Sequence, residues 1–181
     1  FLPNDDPKLV GRRLLRVNLS DLTAMGARPL GYMLNIALPN KIKNEWLEAF
    51  ASGLAVDQEK FSISLIGGDS VATRGPIALT ITALGDVITG GVLRRTGALV
   101  GDVVYVSGTL GDSVAGLEVA KKNAEGLSDR DRHYLLNRYF MPEPRPTLGR
   151  TLIGTAHSAI DVTAGFLADL GHIPDHSPLV T

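Results

Sequence analysis

The sequence predicts an α/β (α+β) protein built as a pair of domains, and three observations carry that expectation. Stretches with apolar residues at helical spacing alternate with stretches of period two, in the loose order helix, strand, helix, strand, strand, then a strand and further helices. Gly, Pro and Asn mark the changes of period, so no long linker intervenes. The 181 residues are 44% hydrophobic, enough for one large core or two small ones.

Leu14, Leu15, Val17, Leu22 and Met25 fall near helical spacing and predict a first helix from Leu9 to Met25, with Gly26 as its stop. Asp21 lies on that helix beside the apolar stripe. Residues 31–38 predict a strand closed by Pro39-Asn40. Asn44 is placed to cap a second helix through Phe61, with Trp46, Leu47, Phe50, Leu54 and Ala55 as its apolar face. Residues 62–66 alternate as a half-buried strand that runs into Gly67-Gly68-Asp69, and residues 76–87 alternate again, with Ile77, Leu79, Ile81 and Ala83 on one face. After Thr89-Gly90-Gly91 a domain boundary is expected, followed by a strand over 102–107. Helices are expected from Gly111 to Lys122, from a Ser128 cap to Phe140, after the kinked run Pro142, Pro144 and Pro146, and over Gly165–Ile173, with a short strand over 158–162.

The formal net charge is −1 and no basic face is evident, so nucleic acid is not an expected partner and small molecules are. With no cysteine, the chain has no disulfide framework, thiolate metal site or cysteine nucleophile. No apolar run approaches the roughly 20 residues that span a bilayer, and the start lacks a signal-peptide pattern, so no membrane partner and a cytoplasmic location are expected. The chain begins with Phe1, not Met, and stops at Thr181 without a closing element, so it reads as an internal piece of a longer protein.

Three carboxylates stand at the edges of different predicted elements: Asp21 on a helix, Asp69 after a strand and Asp161 at a strand's end. Mg²⁺ needs only one or two carboxylates beside phosphate oxygens and water, so sparse aspartates suffice for it. Gly67-Gly68 leaves bare backbone that a phosphate can approach beside Asp69. The residues alone favour a plainer reading, with Asp69 as a turn residue and Asp161 as a helix cap. Neither a Walker A sequence nor a Gly-x-Gly-x-x-Gly fingerprint is present. Asp112 is expected as an N-cap, Asp169 on a helix face, and His133, His157, His172 and His176 in surface or packing roles, since their spacing does not suit zinc.

Five segments in fixed order support a further reading. They are Val17 to Ala27, Leu65-Ile66-Gly67-Gly68-Asp69, Leu93 to Ala98 with Gly101-Asp102, Val106 to Ser113, and Ala159-Ile160-Asp161-Val162 with Leu167 to Ile173. In these the chain resembles the thiamine-monophosphate kinases, of the superfamily that includes aminoimidazole ribonucleotide synthetase. The resemblance implies a two-domain synthetase-like architecture: residues 1–94 as an N-terminal ATP- and metal-binding domain whose sheet pairs in a dimer barrel, and residues 95–181 as the start of a C-terminal α/β sandwich. It implies Mg²⁺ as cofactor, ATP as co-substrate, thiamine monophosphate as acceptor, a homodimer, and direct in-line transfer with no side-chain nucleophile. By the same resemblance Asp21, Asp69 and Asp161 would hold metal, and Gly68, Asp69, Arg95 and Thr163 would contact the nucleotide.

One departure stands out. The family pattern after Asp161-Val162 is Ser-Asp-Gly, and here it is Thr163-Ala164-Gly165, one carboxylate fewer. A nucleotide-binding paralogue without turnover, or another ATP-using enzyme of the superfamily, is therefore the alternative to an active kinase. The run Ser70–Pro76 also looks longer than the common form and is expected to be a tolerated loop.

Overall fold

The Asp6 side chain accepts a hydrogen bond from the Lys8 amide and Pro7 takes the first helical position, where no amide partner is needed, so α1 (Pro7–Ala24) starts where its first turn is satisfied. A computed structural model of the chain describes residues 1–175, and His176 lies outside the described residues. Met25 and Gly26 end α1 as the spacing predicted. The helix α2 (Asn44–Phe61) starts after Lys43, so Asn44 is its first residue and not its cap. It stops at Ser62, whose backbone turns left-handed. Ala55, expected on the apolar face, is exposed, and the buried positions are Phe50, Gly53, Leu54 and Asp57.

Three strands form one sheet in the order β2-β1-β3, with β1 at Arg28–Pro39, β2 at Ser64–Thr73 and β3 at Ala78–Asp86. The crossover through α2 makes β1 and β2 parallel, while the short turn after β2 returns β3 antiparallel to β1. Alternation sorts the faces: Leu34, Leu79, Ile81 and Ala83 pack on the core, and Met33, Thr80 and Thr82 point the other way. The core itself joins Val10, Leu15, Leu19 and Leu22 of α1 to Phe50 and Leu54 of α2 and to Ala27, Tyr32 and Ile63.

Two sequence expectations need correcting here. Gly67-Gly68-Asp69 does not follow a strand end; β2 runs on through Thr73, after a register shift opposite Tyr32 and Met33. The run after Asp69 is accordingly strand and tight turn instead of an enlarged loop. Glycine weakens a strand without breaking it when a neighbouring backbone must come close. That is the case at Gly68, with φ of 147°, where a Cβ would collide with the Leu34 carbonyl oxygen.

The second correction concerns 102–107 and 158–162, which form no strand among the described residues. Val103, Val104 and Tyr105 are exposed, and a strand needs a partner to satisfy its backbone. The helices that follow are α3 (Asp112–Ala120), α4 (Asp129–Phe140), α5 (Pro146–Thr151) and α6 (Phe166–Asp175). Ser128 caps α4 as predicted, accepting from the Asp131 amide at 3.1 Å. Asp112 is not the cap of α3 but its first residue, and its carboxylate accepts hydrogen bonds from Thr109 and from the Tyr134 hydroxyl. No helix among the described residues is long and apolar enough to cross a membrane.

The helices α1 and α2 cross closely because Gly53 has no side chain. A Cβ there would run into the Lys8 carbonyl. Gly53→Ala is expected to push the helices apart and cost about 1–3 kcal/mol, the usual penalty for overpacking, read as a lower denaturant midpoint with an unchanged slope.

Candidate functional site

The C-terminal end of α1 meets two later segments. The Leu93 amide donates to the Met25 carbonyl at 3.2 Å, which lays residues 93–98 against the helix end. The Ala159 amide donates to the Arg94 carbonyl at 2.9 Å, which lays residues 157–161 against the same stretch. His157, expected only in a surface or packing role, reinforces this: its Nδ1 sits 2.8 Å and 2.9 Å from the two carboxylate oxygens of Asp102. Three parts of the chain remote in sequence thus deliver Asp21, Arg95 and Asp161 to one place.

Electrostatics report the same meeting. The Asp21 carboxyl is raised above its ordinary value first by burial and next by the charge of Asp161, while Arg95 pulls it down. The Asp161 Oδ2 atom is shut off from solvent with no hydrogen-bond partner among the described residues. Two repelling carboxylates, one with an orphaned buried oxygen, are a donor set that a hard divalent cation would satisfy. The residues present therefore fit Mg²⁺ at Asp21 and Asp161.

Asp69 stands on the sheet. It pairs across the ladder with Asn35, which in turn faces Thr80, and this row stands on the sheet face turned away from the core. Its carboxylate accepts from the Ser70 amide at 2.8 Å. Among the described residues no group of three His, Cys, Asp or Glu side chains converges to hold a metal ion. The structure thus brings Asp21 and Asp161 together with Arg95, and leaves Gly68 and Asp69 on the open strand β2.

Thr163 is exposed, and its amide donates to Asp169 at 2.8 Å. Asp169 departs most from expectation. Instead of riding a solvated helix face it is 5% exposed and binds the loop before its own helix. Its position at the fourth residue of α6, next to a loop of small residues, is the only sequence signal of this role.

Comparison with known proteins bears on the site. Residues 1–87 match the model of the "AIR synthase related protein, N-terminal domain". The thiamine-monophosphate kinase of Salmonella typhimurium is 43% identical over 173 residues, covering 96% of this chain and 52% of that protein. The crystal structure of thiamine-monophosphate kinase from Stenotrophomonas maltophilia K279a superposes with a TM-score of 0.87 at 40% identity, covering 97% of this chain and 56% of that one. A structure described as AaThiL complexed with AMPPCP and TMP superposes with a TM-score of 0.90 at 29% identity, with the same coverage of 97% and 56%. The chain spans about half the length of the curated relatives it matches.

Proposed function

We propose, on its 43% identity to a thiamine-monophosphate kinase over 96% of its length, that the protein containing this chain transfers the γ-phosphoryl group of ATP to the phosphate of thiamine monophosphate, in the cytoplasm, giving thiamine diphosphate and ADP. The observation that carries this reading is the convergence of Asp21, Asp161 and Arg95 at the end of α1. ATP and a phosphate acceptor repel one another, so their approach needs concentrated positive charge. Mg²⁺ held by Asp21 and Asp161 would supply Lewis-acid neutralisation of the phosphate oxygens.

The chain's own residues would do the rest. Arg95 adds a fixed positive charge beside the carboxylates and would bind the nucleotide. Asp161 offers its orphaned oxygen without first breaking another bond. Gly68 brings the β2 backbone close to β1 and leaves it open to phosphate, and Asp69 and Thr163 would contact the nucleotide in the assembled protein, with Asp69 also on metal. No side-chain nucleophile is needed, because the attacking atom is the substrate's phosphate oxygen; positioning supplies the rate.

The same proposal makes the protein a homodimer. The edge strand β2 exposes Leu65 (48%), Ile66 (57%) and Val71 (52%). An open apolar edge of this kind is a liability unless it is covered, and pairing with a second copy would cover it. The proposed domains, residues 1–94 and 95–181, would each be completed in the longer protein.

Ala164 supports a second reading, a protein that binds nucleotide without turning it over. Purified full-length protein with ATP, Mg²⁺ and thiamine monophosphate is expected to release thiamine diphosphate and to elute as two copies by light scattering. Tight binding of ATP with no product, unchanged by Ala164→Asp, would favour the second reading.

A further inference from the structure

Asp169 is buried, and a single oxygen of its carboxylate, Oδ2, accepts hydrogen bonds from three consecutive amides: Thr163 at 2.8 Å, Ala164 at 3.0 Å and Gly165 at 3.0 Å. An ordinary N-cap side chain precedes the helix and accepts from amides inside it. Asp169 does the reverse, reaching back from within α6 to the loop that leads into it. Bonds from backbone amides to a carboxylate are charge-assisted, roughly twice as strong as neutral ones, and burial strengthens them further.

That loop starts two residues after Asp161. Holding three successive amides fixes the backbone of 163–165, and with it the direction from which the Asp161 carboxylate is presented. It also occupies those amides, so the loop has no free backbone donor for a phosphate and must act through the Asp161 and Thr163 side chains. We propose that Asp169 is a positioning residue for the metal and nucleotide site, acting through the 163–165 loop and touching neither metal nor substrate. The proposal rests on the reading of Asp161 as a metal ligand.

The test uses the full-length protein and its variants Asp169→Ala, Asp169→Asn and Asp161→Asn. Two quantities are followed: amide hydrogen exchange in the metal-free protein, and calorimetric binding of Mg²⁺ with a non-hydrolysable ATP analogue. In Asp169→Ala the amides of 163–165 are expected to exchange at least ~10-fold faster while α1 and α2 keep their protection, and binding should weaken about 10- to 100-fold, as for other groups that orient metal ligands. Asp169→Asn keeps an acceptor oxygen and should recover part of both losses.

Faster exchange with binding indistinguishable from wild type would overturn the proposal and leave Asp169 a purely structural group. Unchanged exchange would overturn it as well. If Asp169→Ala does not fold, Asp169→Asn decides, and wild-type binding in that variant counts against the proposal. Normal binding by Asp161→Asn would remove the underlying site reading and the proposal with it, a result distinct from a normal Asp169 variant beside a disabled Asp161 variant.

Discussion

Replacing Asp57 with alanine is expected to destabilise the fold by about 3–5 kcal/mol, the cost of breaking a buried ion pair from one side. Asp57 is fully buried on α2 and receives Arg16 Nε at 2.6 Å and Nη2 at 3.0 Å, together with Arg12 Nη2 at 2.9 Å. Arg16 is 2% exposed and also donates to the Pro142 carbonyl at 3.2 Å, so the pair ties α1 and α2 to the segment that leads into α5. Without Asp57, the buried Arg16 guanidinium keeps only the Pro142 carbonyl and the half-exposed Glu143 carboxylate at 3.6 Å. Replacing both buried partners by apolar residues, Arg16→Met with Asp57→Leu, is expected to cost less than Asp57→Ala, because the buried guanidinium is removed with its carboxylate and only the more exposed Arg12 loses a partner.

The pH dependence of that loss has a definite sign. Burial alone would raise the Asp57 carboxyl, but the hydrogen bonds and charges of Arg16 and Arg12 prevail and hold it below its ordinary value of 3.8. A carboxylate depressed in the folded state contributes stability that is complete above the unfolded value and is lost as pH falls through the folded one. Chemical denaturation of wild type and Asp57→Ala should therefore show a gap that is constant near neutrality and narrows below about pH 4. A gap independent of pH down to strong acid would contradict the ion-pair account.

This network shows where sequence reading stops. The helical spacing of Leu15 and Leu22 was legible, because most of the buried stripe is written in one residue class. Arg12, Arg16 and Asp57 break that class on the same buried faces, and their meaning depends on a partner 41 or 45 residues away. The strand after Gly31 was legible by alternation, whereas Gly67-Gly68 looked like punctuation because only the neighbouring strand, with Leu34 against Gly68, shows why glycine is required there.

The site divides in the same way. Asp21, Arg95 and Asp161 were singled out by resemblance, and their convergence depends on two backbone hydrogen bonds, Leu93 to Met25 and Ala159 to Arg94, that no local pattern encodes. Asp169 was misplaced because helical periodicity assigns a face and says nothing of a side chain that turns back along the chain. The expected strands at 102–107 and 158–162 failed for a related reason: β-branched and apolar residues favour an extended chain, yet pairing is a property of the partner as well.

Asp161→Asn in the full-length protein is expected to reduce the proposed phosphoryl transfer and the binding of Mg²⁺ with nucleotide by about 100-fold or more, since it removes the charge of the proposed ligand and keeps the shape of the side chain. Stability should move in the opposite direction. Asp21 is raised by burial first and by the Asp161 charge second, so its folded carboxyl holds a proton that the unfolded chain releases near 3.8. A group raised in this way makes the metal-free fold less stable as pH climbs from that value through the raised one. Removing the Asp161 charge lowers the Asp21 carboxyl towards its ordinary value, leaving the burial contribution in place, so the metal-free variant should melt at a higher temperature than wild type at neutral pH. It should also place the Asp21 carboxyl resonance transition at lower pH. A protein that is more stable empty and far weaker at binding is the signature of a charge pair kept for a ligand; a variant that loses stability and binding together would instead make Asp161 a structural residue.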